Sequence, residues 1–173
     1  MTGNTPRMTN AALETLLSRL RVLLVDDNAA LRGALRVSLQ AFGCAEVVET
    51  DSVDRALAEI ETGRIDLVIT DWKMSPRDGL DLVRNLRAPE TGAAPDLPIL
   101  MLSAYCDAER ISAAHAAGVT AFLNKPFTAA SLAATLSEAL LAGPSGQSNQ
   151  HPDRNGDRRC HAHDDRTPLA CAN

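Results

Sequence analysis

Three acidic residues, a hydroxyl and a lysine stand at the ends of separate apolar runs, and their types suit one kind of chemistry. Asp26 and Asp27 follow Val22-Leu23-Leu24-Val25, and Asp71 follows Leu67-Val68-Ile69-Thr70. Ser103 follows Ile99 to Leu102, and Lys125-Pro126 follows Val119 to Leu123. Carboxylates gathered at one point repel one another and rise in pKa unless a cation compensates them, so three together predict a divalent metal. Magnesium fits best. It prefers octahedral oxygen coordination, keeps several waters, and binds through one or two carboxylates together with phosphate oxygens, with manganese as an alternative occupant. A carboxylate in that setting can act as nucleophile towards a phosphodonor. Lys125 supplies a mobile positive charge for one phosphoryl oxygen, and the Ser103 hydroxyl a hydrogen bond for another.

These groups meet only if the apolar runs are neighbouring strands. Continuous apolar runs such as 22–25 are expected of strands buried on both faces, and the segments between them read as helices. Leu31, Leu35, Val37, Leu39 and Phe42 fit a helix ending near Gly43, and 45–48 forms a second strand. Ala56, Leu57 and Ile60 supply the stripe of the next helix, capped by Asp51 or Ser52 and ended by Gly63. A loop from Asp71 to Arg77 leads to a helix through Leu80, Leu82, Val83 and Leu86, and 88–98 is a Pro/Gly/Ala-rich surface loop. Helices at 107–117, closed by Gly118, and at 128–142 follow the fourth and fifth strands. Five βα units predict a doubly wound α/β fold, because parallel neighbours need crossover connections. Ligands in such sheets bind beyond the carboxyl ends of the strands, where all five polar groups fall.

Composition narrows the function. The formal charge of -5 and a pI near 5.3 argue against direct nucleic-acid binding, which usually needs a basic surface. No apolar stretch reaches the roughly 18 residues of a membrane helix, and no secretory signal opens the chain, so a cytoplasmic protein without membrane contact is expected. Cys44, Cys106, Cys160 and Cys171 show no CxxC pairing and are expected to be reduced thiols. Leu13, Leu16, Leu17 and Leu20 mark a short amphipathic helix in an N-terminal extension, 1–20, ahead of the main domain, 21–142. Residues 143–173 are expected to be a disordered tail, since apolar residues almost vanish there.

Four segments, VDDN at 25–28, DWKM at 71–74, LSA at 102–104 and FLNKPF at 122–127, resemble the receiver domain of two-component response regulators, of the single-domain chemotaxis type. The resemblance covers roughly residues 20–142. It implies the flavodoxin-like strand order 2-1-3-4-5, with Asp71 as phosphoacceptor and Asp26, Asp27, Asp71 and the Lys73 backbone carbonyl as magnesium ligands. Ser103 would be the switch hydroxyl, Phe122 the switch aromatic and Lys125 the phosphoryl-binding lysine, with Lys125-Pro126 a candidate cis bond. The implied protein is not an enzyme in the ordinary sense. It takes a phosphoryl group from a histidine kinase or phosphotransfer protein, or from a small phosphodonor with magnesium, and dephosphorylates itself. Because no output domain follows, the expected signal leaves by protein contact or by onward relay. The contact face joins helix 107–117, strand 119–123 and helix 128–142, the fourth helix, fifth strand and fifth helix of the receiver unit, and takes a downstream target or a second copy.

Two departures from the family pattern matter. The first is that Ser75 stands four residues after the expected acceptor, where the family commonly has proline, and the proline is displaced to Pro76, so a different loop path is expected. Lys73 and Tyr105 flank the route of an attacking water, and the bulk of Tyr105 is expected to slow hydrolysis of a phospho-aspartate. Trp72 is either a solvent-facing gate or loop packing. His115 is expected at the surface or an interface, and Leu132, Leu136, Leu140 and Leu141 on the sheet, with Ala129 and Ala133 on a flat outer face. The histidines and cysteines of 151–171 lack the spacing of a zinc site. A phosphorylation-independent adaptor is the alternative, disfavoured by the intact acidic trio, and an aspartyl-nucleophile hydrolase would need a substrate cap for which this length leaves little room.

Overall fold

A computed structural model describes residues 8–91, 93–104 and 107–142. Tyr105, Cys106 and the tail with its cysteines and histidines lie outside the described residues. The chain begins with α1 (Asn10–Leu17), then alternates β1 (Arg21–Val25), α2 (Ala29–Ala41), β2 (Glu46–Thr50), α3 (Val53–Thr62) and β3 (Leu67–Asp71). It continues with α4 (Gly79–Arg87), a single 3-10 turn at Pro89–Thr91, β4 (Ile99–Ser103), α5 (Ala108–Ala117), β5 (Ala121–Asn124) and α6 (Ala129–Leu141). The five strands form one parallel sheet in the order β2-β1-β3-β4-β5, as the family resemblance implies.

Alternation along the strands divides the core in two. Leu23, Val25, Val68, Ile99 and Met101 pack on one face against Val53, Leu82, Leu86 and Ala114 of α3, α4 and α5. Val22, Leu24, Leu67, Ile69, Leu100 and Leu102 pack on the other against Leu35 and Leu39 of α2 and Leu132 and Leu136 of α6. This explains why the strands read as unbroken apolar runs: both faces are covered by helices. The N-terminal helix docks on its own domain. Leu13 and Leu17 are buried in the second cluster, so α1 extends the helical layer made by α2 and α6.

Local signals set the element ends. Asn28, not an aspartate, caps α2, its side chain accepting from the Ala30 and Leu31 backbone N–H groups. Ser52 occupies the cap position of α3 without a side-chain bond, while Asp51 pairs with Arg55 at 3.2 Å. Asp78 and Asp81 form a reciprocal capping box on α4, and Gly118 ends α5 at φ 107°, in the left-handed region that glycine enters without strain. Two apolar residues of the helical patterns face solvent instead of the sheet: Val37 on α2 and Leu141 on α6 are 59% and 46% exposed. For Leu141 the expected stripe overruns, because the last turn of α6 passes beyond the edge of the core. The strand expected from Val119 begins at Ala121, since Val119 is held in the α5 turn by its N–H bond to Ala114 O.

Candidate functional site

The site is made where the strands stop. Register pairs Val25 of β1 with Thr70 of β3, Asp71 with Leu102 of β4, and Ser103 with Asn124 of β5, so four strands end at one level. Two backbone bonds carry the ladder one step further: Asp26 N–H donates to Thr50 O at 3.2 Å and Lys125 N–H to Ser103 O at 2.8 Å. Asp26, Asp71, Ser103 and Lys125 are thereby fixed by sheet hydrogen bonding and do not hang on free loops.

Asp26 is 1% exposed and Asp71 8%, while Asp27 is open to solvent. Oxygens of all three lie within 4.8 Å of one another, close enough to share a cation. Lys125 bridges the two buried carboxylates, its Nζ 3.0 Å from Asp71 Oδ1 and 3.3 Å from Asp26 Oδ2. Asp26 Oδ1 also accepts from the Asn28 backbone N–H at 2.8 Å, and the Arg32 guanidinium donates to the Asp26 carbonyl. Burial pushes the Asp71 carboxyl above its ordinary pKa; Lys125 pulls it back, the Asp26 charge raises it again, and the Trp72 N–H lowers it. Three carboxylates against one ammonium leave a negative, hard-oxygen site, which fits magnesium by the chemistry of its donors.

Asp71 opens into a cavity of about 600 Å³, lined also by Trp72, Lys73, Ser103, Arg110 and Lys125. Ser103 is 4% exposed at the end of β4, and Lys73 is exposed on the segment after β3. Trp72 is half-buried, with its ring centroid 6.3 Å from that of Phe122. Phe122 is also half-buried and meets the His115 ring edge-on at 5.0 Å. Trp72 therefore both lines the cavity and packs on β5. His115 lies at the surface of α5, with Nδ1 3.0 Å from Val119 O. Both Lys125-Pro126 and Ser75-Pro76 are cis.

Sequence reasoning missed four participants. Gly79 lies so close to the end of β3 that a Cβ would collide with the Asp71 carbonyl oxygen, while its N–H donates to Trp72 O at 2.8 Å. Asp78-Gly79 ahead of an apolar periodic segment was the available signal. Arg32 and Asn28 support Asp26 through backbone bonds that no spacing reveals. Arg110 reaches the cavity because α5 starts beside β4, a purely tertiary fact.

The family described as response regulator receiver domain matches residues 22–137. The chain belongs to that family. As a receiver domain it is a component of two-component signalling, a class whose members bind magnesium and work through histidine kinases, phosphotransfer proteins and downstream targets. The chemotaxis protein CheY-3 of Vibrio cholerae is 37% identical over 121 residues, 69% of this chain and 92% of that relative. CheY of Pseudomonas aeruginosa is 36% identical over 110 residues, 64% of this chain and 87% of its own. Among solved structures, Vibrio cholerae CheY4 superposes with a TM-score of 0.64 at 32% identity, covering 69% of this receiver chain and 98% of CheY4. The receiver domain of the Arabidopsis thaliana histidine kinase CKI1, solved with Mg2+ and BeF3-, also gives 0.64, at 27% identity over 75% and 95% of the two chains.

Proposed function

We propose that this receiver accepts a phosphoryl group on Asp71 from a histidine kinase or phosphotransfer protein and signals through protein contact. The observation that carries the reading is the bridge of Lys125 between Asp71 and Asp26 at 3.0 and 3.3 Å, on the wall of an open cavity, with a third carboxylate in reach. An adaptor without phosphorylation has no use for so costly a concentration of charge.

In the proposed reaction an Asp71 oxygen forms a bond to phosphorus as the P–N bond of a phosphohistidine breaks, and the imidazole leaves with the electron pair and takes a proton. When bound by Asp26, Asp27, Asp71 and the Lys73 carbonyl, magnesium supplies neutralising charge for the phosphoryl oxygens. Lys125 follows the phosphoryl group with its flexible ammonium, and the Ser103 hydroxyl, buried at the strand end, donates to a second oxygen. Inward movement of Ser103 and Phe122 then shifts the population of two states of the α5, β5 and α6 face, where a target or second copy docks. A cytoplasmic setting accords with such partners, and no described helix is long and apolar enough to cross a membrane.

Incubation with magnesium and acetyl phosphate tests the reading by intact mass and Trp72 fluorescence. One phosphoryl adduct is expected on the wild type and none on Asp71→Asn; labelling of both, or of neither, would refute it.

A further inference from the structure

We propose that Arg110 sets the choice of phosphodonor, favouring donors whose leaving group is a carboxylate. This rests on Asp71 being the phosphoacceptor. Among the described residues, three cations line the cavity: Lys73, Arg110 and Lys125. Lys125 is held by Asp26 and Asp71. Lys73 is a point charge beside the acceptor, whereas Arg110 projects a planar fork of donors that matches a carboxylate two bonds at a time.

Arg110 is also available. It stands in the first turn of α5, and its backbone N–H donates to Asp107 Oδ1 at 2.8 Å. Its Nε lies 3.3 Å from Asp107 Oδ2, but these side chains are 60% and 58% exposed, and an ion pair so solvated contributes little. An incoming carboxylate can therefore compete for the guanidinium at small cost. The α4 end of the same cavity carries Asp78 and Asp81, whose carboxylates cap the helix at 2.9 and 3.3 Å. Asp81 is itself 3.5 Å from Arg84 and Arg110 3.3 Å from Asp107, so the two ends differ in the group they present to the cavity, carboxylates on the α4 side and a guanidinium fork on the α5 side.

The bond changes make the preference specific. With an acyl phosphate, Asp71 Oδ bonds to phosphorus as the P–O bond to the acyl group breaks, and the carboxylate departs with the electron pair and needs no proton. With phosphoramidate the P–N bond breaks, and the nitrogen takes up a proton and leaves as ammonia. Negative charge grows on the leaving group only in the first case, so a guanidinium at that position stabilises only that transition state.

Initial rates of Asp71 labelling by acetyl phosphate and by phosphoramidate, both with magnesium, decide the matter for wild type, Arg110→Gln and Arg110→Lys. Because both donors act on one protein sample, the ratio of rates is insensitive to the fraction folded. Arg110→Gln is expected to lower the acetyl phosphate to phosphoramidate ratio by about fivefold to tenfold, the effect of one partly solvated charge-assisted bond, with partial recovery in Arg110→Lys. A ratio within about twofold of wild type overturns the role of Arg110 while leaving Asp71 as acceptor. Failure of both donors to label wild type overturns the acceptor assignment, and the selection with it.

Discussion

Asp71 is held in two conflicting ways: burial opposes its charge and Lys125 favours it, with burial the larger effect. The folded chain therefore keeps this proton to a higher pH than the unfolded chain, whose carboxylate titrates near pH 3.9 or so. The sign follows. From about pH 3.9 upward the folded state binds more protons, so metal-free stability attributable to Asp71 falls as pH rises and levels off above the raised pKa. Urea unfolding in chelator should show wild type losing ground to Asp71→Asn across that window; parallel curves would contradict it. The members of this cluster were legible in the sequence because each ends an apolar run, and parallel strands deliver their ends to a common edge. Arg32, Asn28 and Arg110 were not, because their roles depend on where a helix start lies beside a neighbouring strand.

Helix starts and close approaches govern the next level. Gly79 lets α4 begin against the backbone of Asp71, and alanine there would have to displace either the helix or Asp71. Gly79→Ala should cost about 1–3 kcal/mol, the usual penalty of overpacking, and reduce phosphorylation of Asp71. Equilibrium unfolding and labelling rates check both. The N-terminal helix lies outside the matched segment 22–137, yet Leu17 has no exposed surface. Leu17→Ala should accordingly lose about 2–5 kcal/mol, as for a core leucine, and a loss near zero would show that α1 is dispensable. Periodicity revealed α1 but not its docking partner, because a leucine stripe fits its own domain and another chain equally well. The same limit explains Val37 and Leu141, whose spacing is helical but whose turns are exposed among the described residues.

For the whole molecule, the strand order and both covered faces were readable from the alternation of elements and the family resemblance. What only the three-dimensional fold supplied was the direct bridge of the Lys125 ammonium between Asp26 and Asp71, with Asp27 left open to solvent beside them. A cation bound there by the native state alone must stabilise it: magnesium at about a hundred times its Kd should add about 2.7 kcal/mol. Melting with and without chelator measures this gain, and Asp26→Asn should lose most of it. An equal gain in the variant would place the ion elsewhere.

The ladder bond from Lys125 N–H to Ser103 O has a consequence for synthesis. The ammonium that bridges Asp26 and Asp71 comes from the residue just after the final strand of the sheet, so a nascent chain emerging from the ribosome exposes both carboxylates long before it can supply their counter-charge. The charge balance of the rim thus arrives only with the end of β5, and a chain cut before Lys125 leaves both carboxylates without the ammonium that bridges them.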